Sequence, residues 1–151
     1  MTAEQVRVRP CEARDLDHFG VFGSELHVQY CRDEFAQTER IVVLVAVSED
    51  DEPLGKIHVH LDHGNGTVWL EAAAVARPMQ GQGIGTRLVG AAEALAAERG
   101  YAAVELGVED SNPRARRLYE RLGYQSVART DFQYVGAPVP NPGVTMRKEL
   151  A

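Results

Sequence analysis

The 151-residue sequence predicts an α/β domain, and three observations carry that prediction. Runs of β-branched and aliphatic residues at Ile41–Val47, 54–61, 67–76 and 102–108 have the length and composition of strands. Two stretches, opening at Ile84 and Pro113, repeat apolar residues at helical spacing. A glycine-rich turn joins the third of those runs to the first of those stretches, and strands alternating with helices build a sheet with helices on its faces.

Taken in order, Val6 and Val8 alternate with Arg7 and Arg9 up to Pro10, a short edge strand because proline cannot continue a hydrogen-bond ladder. From Leu16 through Phe19, Phe22, Leu26 and Tyr30 the spacing is helical, but Gly20 and Gly23 weaken it, which predicts one interrupted helix or two short ones. Ile41–Val47 and 54–61 form a hairpin through the turn at 49–53, and 62–66 is the next turn. Residues 67–76 are apolar on both faces, with Val68, Leu70, Ala72 and Ala74 on one and Trp69, Ala73 and Val75 on the other. Two apolar faces place that strand centrally, with Glu71 as its charged exception. Ile84, Leu88, Ala91, Ala92 and Leu95 then make one helical stripe that Gly100 caps. After the strand at 102–108, Asn112 is an N-cap, Pro113 a first-turn proline, and Ala115, Leu118, Tyr119 and Leu122 a second stripe that Gly123 stops. Strands at 125–134 and 144–148 close the chain, separated by a proline-rich loop at 136–143.

This length suits a single domain over 1–151, able to bury one core without staples. The net charge of −6 argues against a nucleic-acid or membrane partner, since phosphate backbones and anionic lipid draw on surplus Lys and Arg. A cationic acceptor suits that field better. Cys11 and Cys31 match neither a zinc knuckle nor a redox pair, and the start of the chain is not patterned as an export signal, so a cytoplasmic location is expected. A homodimer is left open.

The richest chemical signal is Gln80-Gly81-Gln82-Gly83-Ile84-Gly85 at the start of a helix. A helix start presents unpaired N–H groups and a positive dipole end, worth roughly 0.3–1 kcal/mol to an anion and up to ~2 when partly buried. The glycines leave those amides unshielded, and Thr86 adds a hydroxyl. Two rival glycine motifs fail on spacing. A dinucleotide fingerprint needs glycine where Thr86 stands, and a nucleotide-hydrolase loop needs Lys-Ser/Thr after Gly85, where this chain has Thr86-Arg87. Glu105, about twenty residues on, mimics a ribose-binding acid but is expected simply to face solvent.

This turn resembles the Arg/Gln-x-x-Gly-x-Gly/Ala signature of the GNAT superfamily of N-acetyltransferases. The lead-in Val75-Ala76-Arg77-Pro78 is similar to the strand end that precedes it, and the segment from Asn112 to Tyr124 to the family's second motif. The resemblance implies a GNAT fold: a mixed sheet of six to seven strands, splayed between the fourth and fifth, flanked by about four helices. It implies acetyl-CoA as donor, with backbone groups of Ala73 and Val75 against the pantetheine arm and the amides of Gln80, Gly81, Gly83, Ile84, Gly85 and Thr86 on the pyrophosphate. By the same resemblance Asn112 touches the pantetheine and Tyr119 faces the thioester sulfur.

A primary alkyl amine with a pKa near 10.4 needs about 4.6 kcal/mol to present its neutral form at pH 7. Glu71, the only ionisable residue between Trp69 and Val75, is the candidate base, and apolar surroundings are expected to raise its pKa. Pairing with a neighbouring Arg or backbone N–H is the competing role for it. Tyr119 as general acid toward the leaving thiolate is expected to contribute about 10²-fold, and plain core packing is its alternative. His58, His60 and His63 lie in and beside a strand with no carboxylate pattern, so no metal is expected. Arg114, Arg116 and Arg117 either meet the nucleotide phosphates or form a solvated face. The favoured activity is direct acetyl transfer to a small-molecule amine; the alternatives are a non-catalytic acyl-CoA sensor and an enzyme acting on a protein N-terminus or lysine.

Overall fold

The computed structural model describes residues 5–133 and 137–151. Its elements in chain order are β1 (Arg7–Pro10), a 3₁₀ helix (Ala13–Phe22), α1 (Glu25–Phe35), β2 (Ile41–Val47), β3 (Pro53–His60), β4 (Thr67–Val75), a short 3₁₀ turn (Arg77–Met79), α2 (Ile84–Glu98), β5 (Ala103–Glu109), α3 (Pro113–Arg121), β6 (Gln125–Phe132) and β7 (Asn141–Glu149). Among the described residues, three α-helices and the longer 3₁₀ helix flank one seven-stranded sheet of order β1-β2-β3-β4-β5-β7-β6. No helix among them is long and apolar enough to cross a membrane.

The helical run that begins near Leu16 is two elements. Gly23 ends the first and Ser24 starts α1, its hydroxyl accepting the His27 amide at 3.3 Å as an N-cap. Leu16 and Phe19 of the 3₁₀ helix pack with Cys31 of α1 against Ile41, Val43, Val45 and Val47 on one face of the sheet. On the other face α2 buries Leu88, Val89, Ala92 and Ala96 against Ile57, Val59, Val68, Leu70, Val104 and Leu106. Each of the larger side chains so buried stabilises the fold by about 1.5–3 kcal/mol. The alternation of β3 assigns Ile57 and Val59 to the α2 core and turns His58 and His60 toward α1.

Near the end of the chain, β6 is described as far as Phe132, while Tyr134 and Gly136 lie outside the described residues. β7 starts at Asn141, earlier than the expected 144, because it is held from both sides: Gly143 pairs with Glu109 of β5 and Thr130 of β6. The proline-rich segment therefore gives up Asn141, Pro142 and Gly143 to the sheet.

Two irregularities in the middle of the sheet position the site. β4 and β5 run parallel and pair only from Thr67–Ala103 to Leu70–Leu106. Beyond that point β4 stays with β3 and β5 with β7, and a cavity of about 440 Å³ opens between them. Beside it β4 carries a bulge: Lys56 pairs with Ala74 and His58 with Glu71, so Ala72 and Ala73 together oppose Ile57. Ala72 has φ 56°, a left-handed conformation that costs a non-glycine residue roughly 1–2 kcal/mol. The strict two-faced alternation expected over 67–76 fails here. Val68 and Leu70 join the α2 core, but after the bulge Val75 joins it in place of Ala74.

Candidate active site

The turn ahead of α2 is shaped by its glycines. Gly81 and Gly83 have φ 79° and 83°, which side chains seldom adopt, and Gly83 is the helix N-cap. No side chain caps α2 and no acidic residue stands in its first turn, so its leading N–H groups and dipole are left for an incoming anion. A Cβ at Gly81 or Gly85 would meet nothing within 4 Å, so the turn faces open space. Gln80 is committed locally, its side-chain amide donating to the Val75 carbonyl at 3.0 Å.

A cleft of about 950 Å³ runs from this turn to α3 and is walled by Val75, Gln80, Gly81, Gly83, Gly85 and Thr86 on one side and Asn112, Ala115 and Tyr119 on the other. Arg77, Arg114, Arg117 and Arg121 rim it, giving an acidic protein one cationic groove. Arg116 is elsewhere, donating to Ser126 Oγ at 3.1 Å. Asn112 caps α3, its Oδ1 accepting the Ala115 amide at 3.1 Å. Tyr119 packs edge-on to Tyr124 with ring centroids 5.8 Å apart. Its hydroxyl has no hydrogen-bond partner among the described residues, and burial raises its pKa above the ordinary tyrosine value, so it is a protonated donor at neutral pH.

This cleft and the cavity between β4 and β5 share Ala73, Asn112, Ala115 and Tyr119. Apart from Arg116, the structure thus brings the sequence-derived donor-side residues into one continuous groove, and Glu71 lies in the wall of its inner end.

The surroundings of Glu71 differ from the apolar setting expected of them. Tyr30 of α1 donates its hydroxyl to Glu71 Oε1 at 2.8 Å, and His60 Nε2 lies 3.0 Å from Oε2. Burial alone would raise the Glu71 pKa, but the hydrogen bonds from His60 and Tyr30 outweigh it and leave the carboxyl below its ordinary value. Glu71 is therefore an ionised carboxylate, one-third exposed. His60 also reaches Glu34 Oε1 at 2.6 Å. Burial opposes its charge, yet the two carboxylates hold its pKa at about 9, so it is an imidazolium at neutral pH. Glu34, buried but paired with His58 and His60, is held at about 2.

The chain of contacts continues inward. His58 Nδ1 lies 3.3 Å from Glu34 Oε1, which fixes Nδ1–H as the donor and leaves Nε2 to accept from Lys56 Nζ at 3.1 Å. Burial pushes the His58 pKa down to about 4 and lowers that of Lys56. Glu34, His60 and Glu71 each offer one ligand atom within 4.8 Å of the others, a spacing that a metal ion could also bridge. His63, the third histidine of the sequence pattern, is apart from them, pairing with Glu105 at 3.0 Å. Glu105 is accordingly a paired side chain, also 2.9 Å from Arg147, and not the solvated acid expected.

The sequence singles out residues 25–35 as a region expected to select the acceptor, but neither Tyr30 nor Glu34 within it, nor Lys56, as an individual site residue. Glu34 and Tyr30 are four apart on α1 and so share a helix face, which an acid on an otherwise core-facing stripe could have signalled; Lys56 in an apolar strand gave a comparable hint.

The Acetyltransferase (GNAT) family model matches residues 9–124. The peptidyl-lysine N-acetyltransferase YjaB of Salmonella typhimurium is 29% identical over 96 residues, covering 64% of this chain and 59% of its own length. A probable spermine N(1)-acetyltransferase of Bacillus subtilis subsp. natto is 34% identical over 76 residues, 47% of each protein. The chain spans about half the length of these curated relatives. In fold, the ribosomal-protein-S18-alanine N-acetyltransferase of Escherichia coli is similar with a TM-score of 0.79 at 20% identity, over 97% of this chain and 94% of that one. With the family match running from β1 through the glycine turn to the end of the second motif, this chain belongs to the GNAT family of acetyltransferases.

Proposed function

We propose that this protein transfers the acetyl group of acetyl-CoA directly to a primary amine, a small-molecule amine in first place. The observation that carries the reading is the meeting of the two cavities at Ala73, Asn112, Ala115 and Tyr119, with a bare helix start at one end and the anionic Glu71 at the other. The donor's pyrophosphate sits on the amides from Gln80 to Thr86, its pantetheine runs past Val75, Ala73 and Asn112, and the rim arginines face its remaining phosphate.

The amine nitrogen attacks the thioester carbonyl carbon, the carbon–sulfur bond breaks, and CoA leaves as the thiol on taking a proton from the Tyr119 hydroxyl. A backbone amide near Ala73 or Ala74 donates to the carbonyl oxygen as charge builds on it. The ionised Glu71 draws the acceptor in as an ammonium, which gives up one proton to solvent before attack; Glu71 then takes the second, directly or through a water, as the neutral amine's nitrogen becomes positive on attack, and Tyr119 regains its proton from solvent after CoA leaves. Neither Cys11 nor Cys31 is required, and both are free thiols, as suits a reducing cytoplasm.

The peptidyl-lysine relative favours a protein lysine as the second reading, since its side chain offers the same primary amine. An acceptor screen followed by thiol release from acetyl-CoA tests the proposal: polyamines and other small amines are expected to support release above the acceptor-free rate. Acetyl-CoA binding by calorimetry with no amine-dependent release would instead identify a cofactor sensor.

A further inference from the structure

Behind the proposed reaction centre lies a closed polar ring of which the transfer steps use Glu71 alone. Glu71 contacts His60, His60 contacts Glu34, Glu34 contacts His58, and His58 contacts Lys56. Lys56 Nζ then donates to the Ala72 carbonyl at 2.6 Å, and one peptide bond returns the path to Glu71. Lys56 is fully buried, beside the point where β3 and β4 lose register.

Ala72 is where the bulge requires a left-handed backbone, and its side chain offers no relief of the kind glycine would. Lys56 Nζ meets that residue's carbonyl from the α1 side, while Ala72 and Ala73 line the cavity on the other. A short hydrogen bond from a buried Nζ to a carbonyl turned by a bulge holds the bulge in that one conformation. The bulge in turn sets where the amide of Ala73, which lines both cavities, lies relative to a bound acyl group.

We propose that Lys56 is a positioning residue: it tethers the Ala72 carbonyl so that the β4 bulge presents the backbone amide of Ala73 to the thioester carbonyl. This rests on the acetyl-transfer reading above for its chemical consequence, though the tether itself is a property of the fold.

The test is a double-mutant comparison in wild type, Lys56→Met, Ala72→Gly and the combined variant, with kcat, the KM of the amine, the Kd of acetyl-CoA and thermal melting measured for each. Lys56→Met in the wild-type background is expected to lower kcat by about 10- to 100-fold while the donor Kd moves less than about threefold. With Ala72→Gly already in place, the same substitution is expected to lower kcat by less than about threefold, because glycine takes the left-handed conformation unaided. An equal loss in both backgrounds, or no loss in either, overturns the assignment. Should Lys56→Met not fold, Lys56→Gln, which removes the charge but keeps a donor, enters the same cycle.

Amide hydrogen exchange over residues 71–75 reads the tether without any chemistry. Faster exchange in the lysine variant, reversed toward wild type on adding Ala72→Gly, is the expected result, and unchanged exchange overturns the tether. Wild-type protein that transfers to no amine would overturn the acetyl-transfer reading, and with it the catalytic consequence of Lys56, even if exchange shows the tether intact.

Discussion

The two ends of the groove are built from different materials. The donor end is backbone: a turn with two left-handed glycines, a helix start with neither cap nor acid, and open space where side chains would stand. The inner end is side chains: Tyr30, Glu34, Lys56, His58, His60 and Glu71 from α1, β3 and β4, each satisfied by another. A backbone site can hold any ligand with the right anion as long as its left-handed glycines stay in place, whereas a side-chain network can be retuned at any of its members.

The largest effect should come from breaking the backbone end. Gly83→Val combines roughly 1–2 kcal/mol of left-handed strain with loss of up to ~2 kcal/mol of anion binding at the helix start. Calorimetry should then give an acetyl-CoA Kd about 100-fold weaker. A Kd close to wild type would place the donor elsewhere.

Tyr119→Phe probes the junction of the two ends and should lower kcat by about 10- to 100-fold with the donor Kd unchanged. Unaltered turnover would return Tyr119 to the core beside Tyr124.

Glu71→Gln should lower kcat/KM for a cationic acceptor by about tenfold, with little effect on the donor. Because His60 and Tyr30 hold Glu71 ionised, it has no titration near neutrality to give the rate profile a limb. The rise in rate with pH should therefore belong to the amine and persist in the variant, and a flattened profile would restore a raised pKa to Glu71.

Stability should register the inner network through pH. The raised pKa of His60 contributes stability that is full below 6.5 and fades as pH rises through about 9. The depressed pKa of Glu34 contributes stability that is full above 4.5 and fades as pH falls toward about 2. The melting-temperature gap between wild type and His60→Gln should thus be widest between pH 4.5 and 6.5 and narrow by pH 9. A gap independent of pH would contradict the shared imidazolium.

The smallest effect sharpens the contrast. Gln80→Ala and Thr86→Ala should each weaken acetyl-CoA by less than about threefold, because peptide N–H groups carry the contact and Gln80 is already engaged with Val75.

The same division decided what could be read from sequence. The donor end is local, since glycines at 81, 83 and 85 and an Asn-Pro pair at 112 and 113 impose their backbone geometry on their own neighbours. Helix stripes and β-branched runs likewise placed nearly every element to within a few residues. The inner end is non-local: Glu34 and His60 are 26 residues apart, and Glu71 and Tyr30 are 41 apart. No periodicity announces that α1 lays an acid across two histidines of β3, so the apolar look of 67–76 suggested a raised Glu71 pKa where the fold lowers it. The bulge was equally hidden, because a run of three alanines from 72 to 74 carries no mark of a left-handed residue.

The claim that donor and acceptor meet in this one groove is tested most directly by initial rates of thiol release with acetyl-CoA and a reactive amine varied together. Intersecting double-reciprocal lines, with no acetyl group left on the protein when acetyl-CoA is supplied alone, are the predicted result. Parallel lines with an acetylated protein would contradict direct transfer and require a nucleophile on the enzyme.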